Sequence, residues 1–169
     1  MSPVAAYSDR LPSTSDDELH MRAAIDEARL AADAGDVPIG AIVVRDGEIV
    51  GRGRNRREAD RDPTAHAEIL ALRQAAAALG RWRLSDCALY VTVEPCAMCA
   101  GAAILARIAV VVFAAPEPKT GVLVSTLDLF DDPRSLQRPK WRMGARREEA
   151  ERLLNDFFAV RRGPREVEG

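Results

Sequence analysis

Two short motifs place strong demands on the fold of this chain. His66 and Glu68 form an HxE motif, and Cys96 and Cys99 form a PCxxC motif further along the chain. Cysteine thiolates at this spacing can face one point, and a histidine from another element can complete a set of three metal ligands. Structural zinc sites usually have four protein ligands, whereas catalytic sites often have three and leave one position for water. The motifs therefore favour a catalytic metal site, which requires a fold that brings them together.

Simpler interpretations exist for each motif taken alone. A CxxC pair in a cytosolic protein can be a redox pair, and free cysteines are often packed in a core. The joint pattern is more specific, because HxE followed by PCxxC is typical of zinc-dependent nucleobase deaminases. In these enzymes the glutamate is a general acid and base rather than a metal ligand. The other histidine, His20, and the other cysteine, Cys87, are not spaced from the two motifs in a way that suggests a further metal ligand.

The spacing of His66 and Glu68 restricts where a metal ion can lie. Residues i and i+2 of an ideal helix point about 200° apart, so both cannot reach an ion beside the same helix. Both can reach an ion off the end of the helix if His66 is in the first turn. We therefore predict a zinc site between the N-terminal ends of two helices that begin near Thr64 and Pro95. The positive ends of the helix dipoles favour thiolate at both cysteines.

Hydrophobic periodicity and turn signals predict alternating helices and strands. A first helix starts at a capping box in residues 15–18 and ends at Gly35, and further helices span residues 64–80, 97–105 and 146–161. Strands are predicted at residues 39–44, 48–54, 88–93 and 109–114, with a tight Asp46-Gly47 turn between the first two. Residues 56–63 and 116–121 are predicted to be loops. This order indicates an α/β fold layered around one sheet whose later strands are parallel.

Length and composition indicate one domain. The chain has 169 residues and a formal net charge of −2, which excludes a globally basic nucleic-acid coat protein. We assign the domain to residues 13–162 and expect flexible tails at residues 1–12 and 163–169. No stretch approaches the roughly 20 apolar residues of a membrane helix, and the N-terminus does not have the pattern of a secretory signal. Three cysteines are too few for a disulfide scaffold, so we expect a reduced, cytoplasmic protein.

The sequence around these motifs resembles the bacterial tRNA-specific adenosine deaminases of the cytidine deaminase-like superfamily. The resemblance covers residues 16–162, and its matching stretches include DVPIGA (36–41), GRNR (53–56), DPTAHAEI (62–69), LYVTVEPC (89–96), CAGA (99–102), KTG (119–121) and NDFF (155–158). It implies a zinc deaminase domain with a three-layer α/β/α fold, in which helices cover both faces of a mixed five-stranded sheet, and a homodimer. It also implies hydrolytic conversion of the wobble adenosine (A34) to inosine in the tRNA anticodon stem-loop, usually of an arginine tRNA with the anticodon ACG.

The resemblance also implies roles for individual residues. One zinc ion per subunit would be held by His66, Cys96 and Cys99. Glu68 would take a proton from water and deliver protons to the ring and the departing amine, while the activated water attacks C6 of adenine.

Substrate contacts are implied for a second group of residues, which comprises Asn55, Ile39, Ala67 and Lys119. Lys119 belongs to a loop that lies by the anticodon in the family. Asn55 has a simpler interpretation as well, because asparagine commonly ends a strand in a turn.

Three residues near the motifs are expected to be structural. Glu94 precedes the helix of the PCxxC motif, and we interpret it as a support for the cysteine loop rather than a second catalytic acid. Cys87 and Met98 are expected to pack in the core.

Basic residues are concentrated in two runs. Residues 134–147 contain six Lys and Arg residues and no acid, and residues 52–61 contain five arginines just before the HxE motif. Such runs can bind phosphate, and the aromatic ring of Trp141 in the first run can stack on an unpaired base. We name Arg56, Arg57 and Arg142 as candidate phosphate contacts; a solvated charged face is the alternative.

Two other functions are weighed against a tRNA deaminase. A deaminase of a free nucleobase or nucleoside, such as guanine or cytosine, would use the same metal chemistry with a different pocket. A noncatalytic, zinc-bearing RNA-binding subunit would not need Glu68 as a proton shuttle, so the presence of this residue argues against it.

Overall fold

The computed structural model describes residues 11–135 and 137–162 of the chain. The helices are α1 (Asp17–Asp33), α2 (Arg57–Asp60), α3 (Ala67–Leu79), α4 (Ala97–Leu105) and α5 (Arg147–Arg162). The strands are β1 (Gly40–Arg45), β2 (Glu48–Arg54), β3 (Ala88–Val93), β4 (Val110–Ala115) and β5 (Lys140–Met143). Two short 3₁₀ turns are present as well, at Thr14–Asp16 and Leu129–Asp131.

The strands form one mixed sheet in the order β2-β1-β3-β4-β5. β1 is antiparallel to both β2 and β3, whereas β3, β4 and β5 run parallel to one another. The tight turn between β1 and β2 has positive φ at Asp46 and Gly47, at 50° and 80°, as a two-residue hairpin turn requires. The predicted hairpin and the predicted parallel portion of the sheet are confirmed.

Helices cover both faces of this sheet. On one face, α3 and α4 pack over alternate strand residues such as Val43, Leu89 and Val111. On the other face, α1 and α5 pack over the intervening residues, among them Ile42 and Tyr90. The central strands are buried on both faces, which explains their continuous apolar sequences. The three-layer α/β/α fold with a mixed five-stranded sheet is therefore confirmed.

Glycines on the strands allow the helices to approach the sheet closely. A Cβ atom added at Gly53 would overlap the carbonyl oxygen of Ala67 and lie 2.6 Å from the nitrogen of Ala71, both in α3. A Cβ at Gly40 would meet the backbone of α1 on the opposite face of the sheet. These two positions set the distance between the sheet and its first covering helices.

The start of α3 differs from the prediction in a way that matters for the site. Thr64 does not cap this helix: its backbone nitrogen and hydroxyl donate to Oδ1 of Asp62, at 2.8 and 2.7 Å. His66 is the N-cap residue, with an extended backbone, and α3 begins at Ala67. The turn of residues 62–65 forms instead of a helical turn because the Asp62 side chain offers the Thr64 donors a local partner.

Three further elements also differ from the predictions. The predicted capping box in residues 15–18 is wrong, because Ser13 and Asp16 form the box and cap the first 3₁₀ turn. The predicted loop at residues 56–63 contains α2, whose short length gives no periodic signal. Strand β5 lies within the basic run of residues 134–147, and its four polar and apolar residues do not resemble a buried strand.

The predicted tails fall largely outside the described residues. Only residues 11 and 12 of the N-terminal tail are described, and the C-terminal tail, residues 163–169, lies wholly outside. No helix of the described part of the chain is long and apolar enough to cross a membrane.

Candidate active site

The structure brings the three predicted metal ligands together. Nδ1 of His66 lies 3.7 Å from Sγ of Cys96 and 3.5 Å from Sγ of Cys99. All three ligand atoms lie within 4.8 Å of one another. Among the described residues, this is the group of histidine, cysteine and acidic side chains that could hold a metal ion.

Two helix starts create this arrangement. His66 is the N-cap of α3, Cys96 is the N-cap of α4, and Cys99 lies in the first turn of α4. Because both caps have extended backbones, their side chains point past the helix ends rather than along a helix face. The dipoles of both helices add positive potential at this point, which favours thiolates.

The donor set fits zinc. Two sulfurs and one imidazole nitrogen form the kind of mixed set that zinc accepts, and they leave the fourth tetrahedral position to a non-protein ligand. Bonds of about 2.3 Å to sulfur and about 2.0 Å to nitrogen place these atoms roughly 3.5 Å apart around a tetrahedral ion. The two separations from Nδ1 of His66, 3.7 and 3.5 Å, agree with that value.

Glu68 lies beside the ligands without being one of them. It is in the first turn of α3, its side chain is buried, and it lines the same pocket as His66 and Cys96. Burial raises the pKa of its carboxyl to about 7. A carboxyl with a pKa near neutrality can both accept and return a proton, as a general acid and base must. A hydrogen bond from Cys99 lowers the pKa of Cys96 to about 3, which favours its thiolate form.

A pocket opens above the ligand cluster. Its lining residues come from five segments of the chain and comprise Val37, Ile39, Asn55, Arg57, His66, Ala67, Glu68, Val93, Glu94, Cys96, Glu117 and Thr120. Three of the predicted substrate contacts, Ile39, Asn55 and Ala67, are therefore in the pocket wall. Lys119 is not part of the wall; it is exposed next to it, and its backbone nitrogen donates to Oε1 of Glu117 at 2.9 Å.

Asn55 has an unused hydrogen-bonding atom in this pocket. The residue is 5% exposed, and its Nδ2 donates to the carbonyl oxygen of Val37 at 3.4 Å. Its Oδ1 is buried and has no hydrogen-bond partner among the described residues. Such an orphaned acceptor is costly in a folded protein unless a ligand or water satisfies it. Asn55 therefore offers an acceptor to a bound molecule.

Glu94 organises one wall of the pocket. Its Oε1 accepts hydrogen bonds from the backbone nitrogens of Leu123, Val124 and Ser125, at 2.9, 2.7 and 3.0 Å. Its Oε2 accepts from the backbone nitrogen of Glu117 at 3.0 Å and from the hydroxyl of Ser125. Burial opposes ionisation, but these hydrogen bonds outweigh it and hold the pKa of Glu94 below its usual value.

Asp36 plays a similar part at the opposite wall, which sequence reasoning missed. Its buried carboxylate accepts from the backbone nitrogens of Glu58 and Ala59, at 2.9 and 3.1 Å. It thereby ties down α2, the first residue of which, Arg57, lines the pocket. An aspartate before an apolar strand carries no distinguishing pattern, so only the fold reveals this role.

The three candidate phosphate contacts, Arg56, Arg57 and Arg142, differ in their exposure and in their salt bridges. Arg57 lines the pocket, is exposed, and forms no salt bridge within the described residues. Arg56 is half-exposed and pairs with Asp60 at 2.7 Å. Arg142 is turned into the fold, where its guanidinium donates to both carboxylate oxygens of Asp17, at 2.7 and 3.0 Å. This internal pairing argues against Arg142 as a phosphate contact, because its donors already serve the fold.

Of the two residues expected to pack in the core, Cys87 and Met98, only Cys87 is buried. Cys87 is fully buried, as expected. Met98 is 36% exposed on α4, so the prediction that it lies in the core is wrong. The side of α4 that carries Met98 faces away from the sheet.

Comparisons with known proteins show that the chain is similar to deaminases over most of its length. The sequence model of the MafB19-like deaminases matches residues 15–162. A tRNA-specific adenosine deaminase of Bacillus subtilis is 45% identical over 142 residues, which cover 84% of this chain and 88% of that protein. A solved structure from a study of tRNA A34 deaminases superposes with a TM-score of 0.78 and 41% identity, covering 81% of this chain and 99% of that one. A guanine deaminase of Nitrosomonas europaea superposes with a TM-score of 0.70 and 25% identity, over 94% of both chains.

Proposed function

Since the chain belongs to the deaminases, and among them to the family of tRNA-specific adenosine deaminases, it is an enzyme that deaminates adenosine 34 of tRNA, and we propose that its reaction depends on zinc. We further propose that its substrate is an arginine tRNA with the anticodon ACG. The observation that carries the proposal of zinc dependence is the convergence of His66, Cys96 and Cys99 next to the pocket that the buried Glu68 lines.

The metal would be held by His66, Cys96 and Cys99. A zinc ion bound there would act as a Lewis acid and lower the pKa of a water molecule. The two thiolates balance the charge of the ion, so the Glu68 carboxylate is not needed as a further ligand and is free to handle protons.

Glu68 would carry out the proton transfers of the reaction. Its carboxylate would accept a proton from the attacking water and deliver it to the purine ring as C6 becomes tetrahedral. Glu68 would then take the proton of the C6 hydroxyl and pass it to the amine, so that the C6 carbonyl forms, the C–N bond breaks, ammonia leaves and inosine remains. Oδ1 of Asn55 would accept a hydrogen bond from the target nucleotide, and Ile39 and Ala67 would pack against it.

The test uses purified enzyme and an unmodified arginine tRNA with the anticodon ACG. We expect the wild-type enzyme to convert the wobble adenosine to inosine, which reverse transcription reads as G. Glu68→Gln should retain one zinc ion per subunit and lose turnover by at least about a hundredfold, the lower end for removal of a general acid and base. Full activity of this variant would contradict the proton-transfer role.

The same experiment addresses the alternative functions. If the zinc-loaded wild-type enzyme leaves the tRNA unchanged but deaminates guanine or cytosine, the protein is a free-base deaminase. Bound zinc without turnover of any of these substrates would identify a noncatalytic subunit.

The RNA would be held around the mouth of the pocket. Arg57 lies in one wall and Lys119 is exposed beside the wall of residues 117–125, so both would contact phosphates that flank the flipped-out base. Arg56 would add charge next to Arg57 once phosphate competes with Asp60 for its guanidinium.

The proposed homodimer rests on exposed apolar side chains of α4 and of the segment after β4. Met98 and Leu105 are seven residues apart and therefore lie on the same side of α4, with 36% and 73% exposure. Val124 and Leu127 are also exposed, at 52% and 60%. A cytoplasmic location is part of the same proposal, because tRNA is there. Sedimentation at micromolar concentration should give twice the mass of the chain, and Leu105→Glu should give the monomer.

A further inference from the structure

The segment of residues 117–125 forms one wall of the pocket but has no regular secondary structure there. Glu117 and Thr120 from this segment line the pocket, and Lys119 is exposed beside it. A pocket wall made of irregular backbone needs fixed partners for its peptide groups if it is to keep one shape.

Glu94 supplies most of these partners. Its two oxygens accept from four backbone nitrogens and one hydroxyl of the segment, at both of its ends. Pro95 adds a carbonyl oxygen that accepts from the nitrogen of Val122 at 3.1 Å. The carboxyl group passes directly over Gly121, where a Cβ atom would overlap it and would lie 2.7 Å from the carbonyl oxygen of Glu117. The segment and the carboxylate are therefore fitted to each other.

A direct chemical role for Glu94 conflicts with these contacts. An ionised carboxylate has about four lone-pair directions. Five donors of the protein already occupy them, so no acceptor site is left for a proton or an amine of the substrate. Glu68 lines the same pocket and takes no part in these contacts.

We propose that Glu94 is a positioning residue that holds the 117–125 segment in place as the substrate-facing wall of the pocket. The proposal rests on the proposed function for the identity of the substrate, but not for the contacts of Glu94. The backbone of Glu94 continues through Pro95 into the metal ligand Cys96, so one short segment sets both the ligand and the wall. Asp36 offers a matched comparison, because it also ties down a wall through backbone nitrogens but on the opposite side of the pocket.

The experiment compares Glu94→Gln with Asp36→Asn. In Glu94→Gln the side-chain amide oxygen can keep the hydrogen bonds from the backbone nitrogens of residues 123–125. The side-chain amide nitrogen then faces the backbone nitrogen of Glu117, and because both groups are donors, this hydrogen bond is lost. We therefore expect faster amide hydrogen exchange at Glu117, measured by NMR on the zinc-loaded enzyme without RNA. Asp36→Asn should instead speed exchange at Glu58 or Ala59 and leave residue 117 unchanged.

Steady-state kinetics with the tRNA give the second readout. Glu94→Gln should raise KM roughly tenfold, the factor expected for one lost charge-assisted hydrogen bond, with a much smaller change in kcat. Ser125→Ala, which removes a single donor and leaves Glu94 in place, should raise KM by a smaller factor. A merely structural loss of folded enzyme would lower the apparent kcat and leave KM unchanged.

Two results would overturn the proposal. One is unchanged exchange at residues 117 and 123–125 in Glu94→Gln, and the other is faster exchange at both walls in both variants, which would indicate general loosening. If the wild-type enzyme forms no inosine, the proposed function fails, but the exchange measurement still decides whether Glu94 holds the wall.

Discussion

Replacing Gly53 with alanine should displace His66, the proposed metal ligand, without changing any residue of the site. Gly53 lies on β2 directly beneath the first turn of α3. The added Cβ would overlap the carbonyl oxygen of Ala67 and lie 2.6 Å from the nitrogen of Ala71, whereas real Cβ contacts under 3.0 Å essentially do not occur. Because both contacts are with backbone, no rotamer change can relieve them, and the start of α3 must move outward by about 1 Å.

Two magnitudes follow from this displacement. Overpacking at a helix–sheet contact should lower the free energy of unfolding by about 1–3 kcal/mol. A shift of about 1 Å of His66 and Glu68 relative to the cysteines should lower kcat by roughly a hundredfold, because catalytic geometry tolerates little misplacement. Zinc affinity should fall as well, since His66 moves away from Cys96 and Cys99.

The assay combines urea unfolding, zinc titration with a competing chelator, and single-turnover deamination. Gly40→Ala is the matched control, because its Cβ would meet the backbone of α1 on the other face of the sheet, away from the ligands. It should be destabilised by a similar amount and keep its zinc affinity. If Gly53→Ala matches the wild type in stability, zinc affinity and rate, then the close approach of α3 does not position the site.

Two further predictions follow from the placement of Arg57 and Cys87. Arg57→Ala should weaken RNA binding and reduce the slope of the logarithm of the binding constant against the logarithm of salt concentration by roughly 0.7–0.9, the contribution of one phosphate contact. Arg134→Ala should leave this slope unchanged. Equal slopes for the wild type and both variants would remove Arg57 from the RNA surface. Burial raises the pKa of Cys87 to about 12. The Cys87 thiol should therefore resist iodoacetamide at pH 8 in the folded enzyme and react after denaturation, as measured by mass spectrometry of the peptides. Rapid labelling of Cys87 in the native protein would contradict its burial.

The motifs predicted the convergence of His66, Cys96 and Cys99 because geometry leaves them few arrangements. Residues i and i+2 can serve one site only at a helix end, and the structure has His66 as the N-cap of α3. The sheet was predictable for a similar reason, since β1, β3 and β4 are apolar runs and a clear turn separates β1 from β2.

Long-range pairing explains what the sequence did not reveal. Strand β5 contains Arg142, whose partner Asp17 is 125 residues away in the sequence, so local composition suggested a basic surface instead of a strand. Asp36 and Glu94 likewise find their partners in segments more than 20 residues distant. Such contacts have no periodicity and become visible only once the chain is folded.

The two walls of the pocket differ from its floor in how they are built. The floor consists of helix starts anchored in the sheet, whereas one wall is the short helix α2 and the other the irregular segment of residues 117–125, each tied by a single buried carboxylate. Under the proposed function, chemistry and recognition therefore reside in separable parts of the molecule. An engineer who wishes to redirect this scaffold to another base can vary residues 57–60 and 117–120 while leaving the floor intact, provided that Asp36 and Glu94 keep their backbone partners.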